Sequence, residues 1–172
     1  MFNKGDLILY SAHGICKIDD ICEKTISNVK KSYYSLHPME DGKLKISIPV
    51  DNDKVTMQEL LTIEETENII ESFKFEGYEW IDIDNERCTK YNEIIKEGNR
   101  TEIAKIANTL MKKKIELESN EKKFHEKDKK ILICIQNILF TELAFILNTT
   151  LEGIKDKING PAFVVIPIAI YQ

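Results

Sequence analysis

The chain lacks the pairings on which most metal and redox sites are built. It has four cysteines and three histidines in 172 residues, and no two cysteines stand in a Cys-x-x-Cys arrangement. His13-x-x-Cys16 is not the doubled spacing of a zinc site, and on a strand the two side chains would diverge. Cys16, Cys22, Cys88 and Cys134 therefore read as small buried thiols of a reducing, cytoplasmic setting. A glycine-rich phosphate loop is also missing. His37 and His125 lie in segments other than that of His13 and Cys16, and nothing marks an oxyanion donor, so no nucleophilic pair emerges. The expectation is a protein that is not an enzyme, with no metal and no cofactor. Basic charge is scarce: 24 Lys and Arg face 29 Asp and Glu, a net charge of -5. That excludes coating nucleic acid by bulk attraction but leaves room for a local basic face. Lys4 and Asp6 interrupt the first apolar stretch, so no signal peptide is expected. The apolar end "PAFVVIPIAIYQ" falls short of the ~20 residues of a membrane span, and Pro161 and Pro167 make it a poor helix. Residues 159–172 are set aside as a tail of unknown role, and no membrane partner is expected.

What the chain does have is enough apolar content, 42 %, for a packed core, in two patterns. Up to about residue 55 the period is two: Leu7 and Leu9 alternate with Ile8 and Tyr10, and Gly14 breaks the run. "ICKIDDICEKT", "KSYYSLHPM" and "KLKISIPV" follow, with Leu44, Ile46 and Ile48 on one face. Asp41-Gly42 signals a tight type I′ hairpin. Four or five strands with short turns predict a small, strongly bent sheet or partial barrel.

Beyond residues 52–60 the period becomes helical. Thr62-Ile-Glu-Glu65 is a capping box before a helix with Ile63, Ile70 and Phe73 on one face. After a break holding Trp80, the only tryptophan, "DNERCTKYNEIIKEGN" reads as a helix stopped by Gly98. Thr101 is expected to cap the next, with Lys112, Lys113 and Lys114 at its C-terminus. A long helix from about Asn120 to Leu147 ends in "ILICIQNILFTELAFIL", apolar nearly all round and so a bundle core. A last short helix follows Thr149-Thr-Leu-Glu152.

"MFNKGDLILYSAHGICKI", "KISIPV", "RCTKYNEIIKEGN", "LMKKK" and "ILFTELAFIL", in that order, resemble the CarD family of bacterial transcription regulators. The resemblance implies an α+β chain: a small Tudor/SH3-like β-barrel module over residues 1–55, followed by an all-α helical bundle over 60–158. It implies that the first binds the β subunit of RNA polymerase. The second would contact promoter DNA at the upstream edge of the bubble without reading sequence, where a tryptophan wedges into the minor groove and the open complex lives longer. Typical members place that tryptophan directly before an Arg-rich run ending in Tyr. With that Tyr aligned to Tyr91, the wedge position falls on Arg87, and Trp80 lies upstream. Positions often occupied by Arg on the polymerase-binding surface read Lys24 and Ser47.

Polymerase binding is therefore expected at Lys24, Thr25, Ile46, Ser47 and Ile48, with an exposed strand edge supplying main-chain hydrogen bonds to a partner strand. The plain alternative is a strand whose lysines face water and guard against aggregation. DNA binding is expected at Trp80, Arg87, Lys90, Lys112, Lys113 and Lys114, through phosphates and one unstacked base step. Against it, Glu79, Asp82 and Asp84 would repel phosphates, and the lysines have helical acidic neighbours. The chain is expected to act as a monomer. The competing function is an adaptor that uses the β module without touching nucleic acid.

Overall fold

The computed structural model describes residues 1–11, 13–26, 29–52 and 57–159, with 26 and 159 known by their main chain alone. Residues 53–56, and 160–172 of the apolar tail, lie outside the described residues. The chain forms two compact units, Met1–Leu60 and Leu61–Gln172.

The first unit is a five-stranded antiparallel sheet: β1 (Leu7–Tyr10), β2 (Gly14–Ile26), β3 (Val29–Pro38), β4 (Ile46–Pro49) and β5 (Met57–Glu59). Its order is β4-β3-β2-β1-β5. The barrel is not closed among the described residues: β4 and β5 are the two ends of the sheet. Alternation delivers Ile8, Cys16, Ile18, Tyr34, Leu36 and Ile48 to one core, as a half-buried strand pattern requires. Gly14 takes φ 69°, a conformation that side chains with a Cβ rarely adopt, where β1 turns into β2. β2 carries a bulge between Ile18 and Asp20. The extra residue, Asp19, turns its carboxylate to His37 Nδ1 at 2.9 Å.

The type I′ turn expected at Asp41-Gly42 is not there. Gly42 does not take a positive φ, and residues 39–45 bridge β3 to β4. Asp41 organises this longer loop by accepting from the main-chain N–H of Lys43 at 3.0 Å. Leu44, expected in the strand, is an exposed loop residue before Ile46. Of the cysteines only Cys16 is buried; Cys22 and Cys88 are half-buried and Cys134 is exposed, so burial is corrected for three of the four.

The second unit is helical. α1 (Ile63–Ser72) opens on the capping box, with Thr62 and Glu65 exchanging bonds. Its inward face is Thr66, Ile69 and Phe73, whereas Ile63 is exposed. α2 (Asp84–Glu97) ends on Gly98 at φ 77°, the left-handed cap that glycine supplies at least cost. α3 (Arg100–Ser119) is capped by Asn99, which accepts from the N–H groups of Thr101 and Glu102. Thr101 is thus inside the helix rather than its cap. α3 also runs past Lys112–Lys114, which therefore sit before its last turn. The long helix begins at Glu126, later than expected, because the chain turns at 120–121 and runs without regular structure over 122–125. It consists of α4 (Glu126–Ile135), a π-helical turn (Gln136–Phe140) and α5 (Thr141–Ile146). α6 (Leu151–Asn159) follows, with Thr150 Oγ1 accepting from Gly153 N–H. Ile106, Leu110, Ile135, Leu139, Phe140 and Leu143 form the centre of the bundle. No single helix among the described residues is long and apolar enough to cross a membrane.

Glu142 lies fully buried inside this apolar centre. Its carboxylate accepts from Arg100 Nη2 at 3.1 Å and Nε at 3.2 Å, and from the main-chain N–H of Leu61 at 3.1 Å. One side chain thereby ties the starts of α1 and α3 to the core helix. Glu142→Ala removes the buried acceptor shared by Arg100 and the Leu61 N–H and is expected to lower stability by about 3–5 kcal/mol, read as a fall in the urea midpoint.

Candidate functional site

The outer face of the sheet brings two expected residues together. Lys24 reaches across β3 and donates to Ser47 Oγ at 2.8 Å. Its ammonium lies 5.4 Å from the centre of the Tyr33 ring. Lys31 pairs with Asp51 at 2.9 Å, and this bond raises the lysine's pKa and lowers the aspartate's. Thr25 is not part of the group, because alternation turns it to the face opposite Lys24. Ile48 is buried in the sheet core and the half-buried Ile46 packs against it, so this face anchors β4 to the sheet.

Register decides which main-chain groups of β4 are offered outward. Val50 N–H bonds to Ser32 C=O at 2.9 Å, and Tyr34 pairs with Ile48 and Leu36 with Ile46. Hydrogen-bonded and open pairs alternate in an antiparallel ladder, so Ile46, Ile48 and Val50 turn their polar groups to β3. Ser47, opposite Ser35, turns its N–H and C=O away. Pro49, also outward, has a C=O but no N–H to offer. β4 terminates the sheet, so this edge is unpaired among the described residues.

On the helical unit, the irregular segment between α1 and α2 carries Trp80. α3 holds this segment by its carbonyls. Asn108 Nδ2 donates to Phe73 O at 3.2 Å and Phe75 O at 2.7 Å, and Thr109 Oγ1 donates to Tyr78 O at 3.0 Å. Gly77 lies so close to α3 that a Cβ there would collide with Thr109 Oγ1 and the Lys105 carbonyl. Tyr78 donates its hydroxyl to Glu102, which pushes the phenol up to about 12. Trp80 is half-buried against the bundle, beside the exposed Glu79 and Asp82.

Arg87, expected on DNA, is only 1 % exposed. Its Nε and Nη2 donate to the two carboxylate oxygens of Asp128 at 2.9 and 2.7 Å. Nη2 also donates to Asp84 at 2.7 Å, and Nη1 to the Ile81 carbonyl. Its guanidinium carbon lies 4.0 Å from the Trp80 ring centre. Burial alone would lower the pKa, but the bonds and charges of Asp128 and Asp84 outweigh it and hold the group above its ordinary value. With its donors committed inside the protein, Arg87 is corrected from phosphate contact to structural centre. Asp84 in turn meets His125 Nδ1 at 2.9 Å. Its own pKa is lowered, chiefly by the Arg87 bond and then by His125.

The lysines are engaged as well. Lys90 lies 5.3 Å from the Tyr78 ring centre, and Lys112 donates to Phe75 O at 3.0 Å. Lys113 pairs with Glu116 at 2.8 Å while lying 5.2 Å from the Trp80 ring centre. Lys114 is 3.6 Å from Glu118. Among the described residues, no group of three or more His, Cys, Asp or Glu is placed to hold a metal. Sequence reasoning missed Asp128, which reads as one more charge in "EKKFHEKDKK", and the carbonyl clamps of Asn108 and Thr109. Gly77 was their one visible signal, a glycine beside aromatics in an otherwise polar break.

Two measurements check this geometry. Gly77→Ala forces the segment off α3 and is expected to cost about 1–3 kcal/mol, seen as a lower thermal midpoint with a shift in Trp80 fluorescence. The raised Tyr78 pKa adds stability that is complete below the phenol's ordinary pKa of 10.0 and is lost as pH rises through about 12. Unfolding curves of wild type and Tyr78→Phe should therefore differ by a constant amount up to pH ~10 and converge above it.

Residues 2–61 match the family described as the CarD-like/TRCF RID domain, and residues 69–159 match the CarD C-terminal domain. No curated protein matches the chain. The two domains carry a transcription-associated role and engagement with the RNA polymerase machinery. With the open sheet as its Tudor-like module and the helical bundle as its second domain, the chain belongs to the CarD family.

Proposed function

We propose that the sheet docks on the β subunit of RNA polymerase through β4, and that the helical unit then meets promoter DNA and prolongs the open complex. The outer edge of β4, unpaired among the described residues, carries this reading. Ser47 offers an N–H and a C=O to a partner strand, and the Lys24–Ser47 pair beside it supplies a charged side-chain contact. Strand addition uses these two elements: main-chain bonds for affinity and flanking side chains for choice of partner.

On the helical unit, Trp80 and Lys113 form the candidate DNA contact, with Lys90, Lys112 and Lys114 nearby in sequence. The resemblance aligns Arg87 with the wedge; here that side chain is buried and the indole of Trp80 lies on it. Polymerase docking raises the effective concentration of promoter at this weak surface, so an acidic chain need not bind DNA strongly alone. The contact would sense backbone and groove shape rather than sequence. The adaptor reading, with no nucleic-acid contact, draws on the ion pairs of Lys113 and Lys114. These leave less free charge for phosphates.

Ser47→Pro removes the outward donor while leaving the β3-facing bonds of Ile46 and Ile48 in place. It is expected to weaken binding to the β subunit about tenfold or more, and Lys24→Glu to weaken it as well. Unchanged polymerase affinity in both variants rules out this edge. Open-complex lifetime, measured with wild type and Trp80→Ala, separates regulator from adaptor: only the regulator lengthens it, and only through Trp80.

A further inference from the structure

Resting on the reading of Trp80 as a promoter contact, we infer that Arg87 is a positioning residue that presents the indole in its binding orientation. Trp80 lies in an irregular segment, where a side chain would ordinarily lose rotamer and backbone freedom on meeting DNA. Here that freedom is already removed. Arg87 is planar, and its edge is fixed in three directions: by the two oxygens of Asp128, by Asp84 and by the Ile81 carbonyl. With its edge so occupied, the guanidinium places its carbon over the Trp80 ring, 4.0 Å from the ring centre.

The same arginine therefore holds the backbone next to Trp80, through the carbonyl of Ile81, and the ring itself. Stacking of this kind depends on the flat guanidinium, which a lysine does not reproduce. Asp128, on α4, holds the guanidinium by two bonds and thereby sets where the cation meets the indole. Lys113, from α3, adds a second cation over the ring.

The test uses the full chain and the fact that Trp80 is its only tryptophan. Arg87→Lys keeps a cation beside Asp128 but loses the flat surface. The double variant Arg87→Met/Asp128→Leu removes both charges together, so neither form leaves a carboxylate buried alone. Each is first checked for helical content by circular dichroism. In both, acrylamide quenching of Trp80 is expected to increase. The gain in open-complex lifetime is expected to fall roughly 2- to 10-fold, approaching Trp80→Ala. Unchanged quenching overturns the positioning role. So does greater quenching with a full lifetime gain, if Trp80→Ala abolishes that gain. A wild-type chain that binds polymerase without altering lifetime overturns the reading of Trp80 itself. The quenching arm contains no DNA, so the two failures are told apart.

Discussion

Removing an arginine and an aspartate from water costs several kcal/mol per ion, and the cost is offset only when geometry and hydrogen bonding are both good. Arg87 and Asp128 are each about 1 % exposed, and the bonds around them meet that condition. Two parallel bonds join guanidinium to carboxylate, and the remaining donors go to Asp84 and Ile81. Much of the helical unit's front follows from this pair. It fixes the start of α2 against the start of α4, holds the backbone entering α2, and gives Trp80 a surface to lie on. A mismatched partner at either end would leave a buried charge uncompensated, so the arrangement tolerates little variation.

The second buried acid, Glu142, works by the same rule in α5. It follows directly on the π-helical turn, where the extra residue in the helical repeat re-phases the side chains of the core helix. Its two oxygens gather Arg100 and the main chain at Leu61. Between these two clamps the apolar centre packs without direction of its own, since burial of hydrocarbon is not orientational. The polar pairs supply the directions.

The sheet unit is organised differently. Its ion pairs, such as Lys31–Asp51, lie on the outside, where solvent screens them and their contribution to stability is small. Its specificity lies in register. Because Ile48 must face the core, Ser47 must face out and turn its main chain away from β3, and Pro49 withholds a donor from the same rim. An open edge invites uncontrolled pairing. A short strand with one donor missing and a lysine alongside limits that hazard while leaving a narrow place for a suitable strand.

Local chemistry made much of the architecture legible in the sequence. The change of period from two to 3.6, the Thr62–Glu65 box, Gly98 as a stop and the apolar run of the core helix each depend on near neighbours, and each is found. The meeting of Lys24 with Ser47 gave no such local signal, since it depends on the pairing of three strands. The sequence misled where one residue type serves two purposes. Asp41-Gly42 resembles a tight turn but organises a longer loop, and Arg87 resembles a phosphate ligand but is sealed against Asp128, 41 residues away. Capping and periodicity act over a few residues and can be read along the chain. Burial of a charge depends on what the fold brings to it from a distance, and only the tertiary structure decided that.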